Sequence, residues 1–106
     1  MYRDELLTTI RNICAPGKGI LAADESTGTI GKRFENIGVE NTHENRIAYR
    51  EILFNTPTLW DYISGVITYE ETLFDTISNG SKLIQPLLDN DIVVGIKVDK
   101  GVKPLY

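Results

Sequence analysis

Residues 24 to 33 read Asp24, Glu25, Ser26, Thr27, Gly28, Thr29, Ile30, Gly31, Lys32, Arg33. A helix starting near Ser26 puts Ser26, Thr29 and Arg33 at i, i+3 and i+7, on one face. Two hydroxyls and a guanidinium beside a helix N-terminus suit a phosphate. Backbone N–H groups and the helix dipole favour the anion, and the planar guanidinium matches its oxygens. The same pattern has a plain structural reading: Ser26 or Thr27 only caps the helix, and Arg33 is solvated. Farther along, Lys97 and Asp99 alternate with Ile96 and Val98. Period two places Lys97 and Asp99 on one face of a strand. A lysine facing the inside of an α/β core requires an acid or an anionic ligand. Asp24, at the end of an apolar run, is a candidate partner. An ordinary internal Lys–Asp pair meets the same requirement, and Asp24 also reads as a loop carboxylate.

Arg46 and Arg50 lie four residues apart with no acid three or four positions away on either side. Like charges at that spacing disfavour a helix slightly. Their counter-charge is therefore tertiary, a ligand or water, and solvated arginines are the commoner outcome. His43, the sole histidine, reads as a surface residue at a helix start, and Cys14 reads as core. Trp60 and the five tyrosines are too scattered for a stacking platform.

Three apolar runs can position these groups: residues 19–23, 63–69 and 92–96. None alternates cleanly, which suits strands buried on both faces of a parallel sheet. Each run ends at charge: Asp24 and Glu25, Glu70 and Glu71, Lys97 and Asp99. In parallel α/β folds the carboxyl ends of strands collect the site residues. Helical stripes lie between them over residues 4–14, 27–37, 42–54, 71–77 and 85–90. Thr42 is a candidate N-cap, and Pro86 fits only a first turn. The order α, β, α, α, β, α, α, β implies parallel strands joined by helical crossovers.

Composition bounds the function. The chain has 106 residues, 42% apolar and 25% charged, with a net charge of −4. That is ordinary globular usage for at most one domain. The acidic balance gives no overall pull toward nucleic acid or anionic lipid. One cysteine forbids an intrachain disulfide, and the lack of a Cys/His cluster argues against a usual zinc site. The charged start, with no long apolar stretch behind it, reads as neither signal peptide nor membrane span. A reducing, cytosolic compartment fits.

Residues 15–33 resemble the N-terminal signature region of class I fructose-bisphosphate aldolase. Asn41 and Thr42 with Glu44, Asn45 and Arg46, then Ser64 to Ile67 with Glu71, Thr72 and Leu73, then Gly95 to Val102, are similar to the same family in the same order. The resemblance implies a (β/α)8 TIM barrel. This chain is then its N-terminal portion, about three parallel strands with helices. Residues 1–106 form an incomplete barrel domain, truncated after the third strand, since a barrel takes about 250 residues.

It further implies a cytoplasmic glycolytic lyase, a homotetramer when complete. Such an enzyme cleaves fructose 1,6-bisphosphate to dihydroxyacetone phosphate and glyceraldehyde 3-phosphate through a lysine Schiff base, with no metal or other cofactor. By position Asp24 is implied as an active-site carboxylate. Ser26, Thr29 and Lys97 are implied around the substrate phosphate remote from the imine, and Arg33 and Arg46 as substrate-contacting arginines. Thr29 stands where the family often has serine. The Schiff-base lysine, the catalytic glutamate and the other phosphate site belong to later strands, so these 106 residues alone are expected to be inactive. Another phosphosugar barrel, transaldolase-like or isomerase-like, fits the matched blocks less well. A non-catalytic binding module with an aldolase-like phosphate surface is the alternative of a different class.

Overall fold

The computed structural model describes residues 2–105. Three strands, β1 (Gly19–Ala23), β2 (Ile63–Thr68) and β3 (Val93–Ile96), form one parallel sheet in the order β1-β2-β3. The helices are α1 (Tyr2–Ile13), α2 (Thr27–Asn36), α3 (His43–Phe54), α4 (Leu59–Tyr62), α5 (Glu70–Phe74) and α6 (Gln85–Asp89). Two or more helices intervene between successive strands, as parallel crossovers need.

The sheet has two unlike faces. Ala23, Val66 and Ile92 pack with Phe54, Leu83, Ile84 and Leu87 into the core between sheet and helices. Each fully buried aliphatic side chain there is worth roughly 1.5–3 kcal/mol. The other face carries two aligned rows: Ile20, Gly65 and Val93, then Ala22, Ile67 and Gly95. Ile13 at the end of α1 covers part of this face. A Cβ on Gly65 would lie 3.8 Å from Ile20 and 3.9 Å from Ile13. The molecule measures 45 × 44 × 27 Å with a radius of gyration of 15.4 Å. A compact domain of this length has a radius of about 13 Å. The sheet is thus a slab covered mainly on one side.

Local chemistry sets the helix ends. The Ser26 side chain caps α2 and that of Thr42 caps α3, accepting from the N–H of Thr29 and Asn45 respectively. Each such cap is worth about 1 kcal/mol. At the C-terminal end of α2, Gly38 N–H donates to Glu35 and Val39 N–H to Phe34. This is a Schellman turn, and Gly38 takes the positive φ of 70° that it requires.

Three expectations are corrected. The stripe on α1 is apolar, but the helix buries no residue, and Cys14 just beyond it is exposed rather than core. The helix expected over 71–77 spans Glu70–Phe74. After it the chain turns back, and Thr76 pairs with Lys82 in an antiparallel bridge. α4 is an additional short helix, entered through Thr58 in the left-handed region.

Candidate active site

Register builds the site. Ala23, Thr68 and Ile96 align across the sheet. The next residues, Asp24, Tyr69 and Lys97, therefore leave the three carboxyl ends side by side. They extend the face opposite the helices by one more row, because side chains alternate with period two. Lys97 N–H donates to the Thr68 carbonyl at 2.9 Å and prolongs the ladder. Lys97 Nζ lies 3.5 Å from Asp24 Oδ2, and 5.5 Å from the centroid of the Tyr69 ring. The pair is 24% and 26% exposed, so its ion-pair energy is at most about 1 kcal/mol. Its importance is placement.

A cleft of about 230 Å³ opens beside the pair, lined by Ser26, Tyr69, Glu70, Lys97, Asp99 and Lys100. Ser26 enters it from the N-terminus of α2, and its Oγ lies 3.1 Å from Thr29 Oγ1. The Asp24–Lys97 pair and the Ser26–Thr29 pair, each read as a pair from the sequence, thus come together at one end of the sheet.

The arginines are engaged rather than solvated. Arg33 Nη1 donates to the Glu25 carboxylate, and to Tyr49 Oη at 3.0 Å. The Tyr49 hydrogen bond, then the Glu25 charge, raise the Arg33 pKa above its usual value. Arg46 donates through Nε and Nη2 to Glu71, and through Nη1 to Asn41 Oδ1 at 2.9 Å. The hydrogen bonds to Glu71 outweigh burial and raise its pKa. Arg50 is 1% exposed. Its Nη1 donates to Glu71 Oε2 at 2.5 Å and its Nη2 to the Glu25 carbonyl at 2.8 Å. Burial alone would raise the Glu71 carboxyl, but hydrogen bonds and charge from Arg46 and Arg50 prevail and hold it at about 2.

His43 is exposed, as expected, yet its Nε2 meets Asp75 Oδ1 at 2.7 Å. His43, Glu71 and Asp75 bring three potential ligand atoms within 4.8 Å of one another. A divalent cation fits poorly there, because it would face the two guanidinium charges that already neutralise Glu71. The cluster is a closed ion-pair network.

Sequence reasoning named Arg50 as an arginine without a local acid and Glu71 as a charge at a strand end, but it did not pair them, and it did not single out Tyr69. The available signal was two helix arginines without a local acid, together with an acid just past the end of a neighbouring strand.

Residues 5–106 match the sequence model of fructose-bisphosphate aldolase class-I, a glycolytic family. The chain belongs to this family. It is 55% identical to the cytosolic fructose-bisphosphate aldolase 7 of Arabidopsis thaliana over 98% of its own length and 29% of that protein. It is 54% identical to the chloroplastic aldolase 3 of the same plant over 98% of this chain and 27% of the relative. A solved structure of the Plasmodium falciparum aldolase, in complex with TRAP and a small-molecule inhibitor, superposes with a TM-score of 0.91 at 52% identity. The match covers 96% of this chain and 29% of that one. The three-stranded sheet is accordingly part of an aldolase TIM barrel, and the chain spans less than a third of its relatives' length.

Proposed function

We propose that this segment forms the first part of the active site of a Schiff-base aldolase that cleaves fructose 1,6-bisphosphate to dihydroxyacetone phosphate and glyceraldehyde 3-phosphate without metal. The observation that carries the reading is the row formed by Asp24, Tyr69 and Lys97, with Ser26 and Thr29 beside it. It offers one carboxylate, one ammonium, two aliphatic hydroxyls and a tyrosine ring at the carboxyl ends of parallel strands, where barrel enzymes do their chemistry.

In this reading Asp24 moves a proton at the reacting hydroxyls and near the imine nitrogen. Lys97, Ser26 and Thr29 hold the phosphate remote from the imine. Arg33 is the arginine best placed for substrate, because its partner Glu25 can be exchanged for a phosphate at a half-exposed position. Arg46, held on Glu71 and Asn41, contributes less by direct contact. Residues 1–106 constitute an incomplete barrel domain, and the imine lysine lies outside them. A cytoplasmic homotetramer belongs to the same proposal. Relatives of both cytosolic and chloroplastic type support an aldolase in either place. No helix among the described residues is long and apolar enough to cross a membrane.

The test is steady-state cleavage of fructose 1,6-bisphosphate by the longest polypeptide carrying this sequence. Turnover that survives a metal chelator is expected. A polypeptide of full barrel size that binds the sugar bisphosphate without cleaving it would instead mark a binding module.

A further inference from the structure

We propose that Arg50 is the positioning residue of this site, locking the turn after β1 to the start of α5 and so setting Asp24 and Ser26 against Lys97. The inference rests on the aldolase reading of the cleft. Arg50 lies in α3, behind the cleft rather than in its lining. One side-chain nitrogen holds the carbonyl of Glu25, the residue between Asp24 and Ser26, and another holds the Glu71 carboxylate. Its guanidinium carbon lies 5.8 Å from the centroid of the Tyr69 ring, and Lys97 Nζ lies 5.5 Å from the same centroid. A single buried group thus touches the segment after β1, the segment after β2, and the ring that neighbours the lysine after β3.

Burying a charge for packing alone is costly, and an apolar side chain of like volume would fill the space as well. What the guanidinium adds is direction. Its planar fork reaches two acceptors at fixed angles, which a lysine ammonium does not reproduce. Arg46 shares Glu71 but does not touch the β1 turn; its other partner is Asn41. Of the two arginines on Glu71, only Arg50 reaches the turn after β1.

The experiment uses the longest polypeptide carrying this sequence and the variants Arg50→Lys, Asp24→Ala and their double. Arg50→Lys is expected to lower kcat for fructose 1,6-bisphosphate about tenfold or more, with KM changed by less than about threefold. In the Asp24→Ala background the same change is expected to cost less than about twofold, because residues acting through one another are not additive. Full multiplication of the two losses, or an unchanged kcat, overturns the proposal. Amide exchange supplies a readout that needs no turnover. Thr29 and Ile30, whose N–H groups donate to Ser26, are expected to exchange about tenfold faster in Arg50→Lys, while Val66 to Thr68 keep their rates. Uniform acceleration, or none at the turn, overturns it equally. If the parent polypeptide cleaves no sugar bisphosphate, the aldolase reading fails, and amide exchange alone decides the role of Arg50. If Arg50→Lys does not fold, Glu71→Gln removes one of Arg50's two anchors and takes its place. The same results then support or overturn the proposal, with a loss of at least about threefold expected.

Discussion

Glu71→Gln should destabilise the protein, and the loss should disappear in acid. Glu71 is 19% exposed and bonds two arginines, one of them 1% exposed. Glutamine leaves Arg50 buried without its counter-charge, and breaking a buried pair costs about 3–5 kcal/mol. The partial exposure of Glu71 argues for the lower end, about 3 kcal/mol at neutral pH. The carboxyl titrates at about 2 in the folded chain against 4.5 without these partners. Its folded pKa is lowered, so the unfolded chain binds the proton first. The stabilisation is therefore complete above about pH 4.5 and is lost as pH falls toward 2. The assay is urea unfolding of parent and variant in the longest polypeptide carrying this sequence, followed by Trp60 fluorescence across that range. The gap between the two should be constant from pH 7 to about 5 and then shrink by on the order of 3 kcal/mol as pH approaches 2. A gap below about 0.5 kcal/mol at neutral pH, or one that persists undiminished in acid, would refute the account of this cluster.

Asp24→Ala in the same polypeptide should lower turnover far more than substrate binding, because its effect is expressed in the transition state. Turnover within about twofold of the parent would reject a catalytic Asp24. Thr29→Ala and Arg33→Ala should mainly raise KM for phosphorylated sugars, and equal weakening toward an unphosphorylated sugar would count against a phosphate role. The 106-residue chain by itself should be poorly folded or self-associating. Leu6, Ile10, Ile20 and Ile96 are all exposed, and β1 and β3 both leave an edge unpaired. A monomer with sharp, coincident transitions by fluorescence and far-UV circular dichroism would contradict this.

The strands were legible because burial on both faces leaves runs that are nearly all apolar. β1 falls on residues 19–23 as read, and β2 and β3 each differ from the reading by one residue. The caps at Ser26 and Thr42 and the stop at Gly38 were legible because each has a local hydrogen-bonding reason. α4 was not, since it follows Pro57 and lacks a side-chain cap. The partner of α1 was not legible either: helical period shows that a face is apolar, not what covers it. Cys14 was misread for that reason. Arg46 and Arg50 looked solvated because their acid, Glu71, lies 25 and 21 residues away in sequence. Only the turn from β2 into α5 brings it across. Lys97 and Asp24 met as expected, because strand period and parallel order already placed both at carboxyl ends.

We propose that these residues form one side of an imine-forming site without supplying its nucleophile. Borohydride reduction of the longest polypeptide carrying this sequence, in the presence of dihydroxyacetone phosphate, tests it most directly when followed by peptide mass mapping. Imine chemistry needs a lysine present as free amine and an acid–base group to shed water from the carbinolamine. The six lysines here are Lys18, Lys32, Lys82, Lys97, Lys100 and Lys103, and the inward one, Lys97, is paired with Asp24. One stoichiometric adduct is expected on a lysine outside residues 1–106, with only sparse, unspecific labelling within them. A stoichiometric adduct on Lys97, or no adduct anywhere, would contradict it.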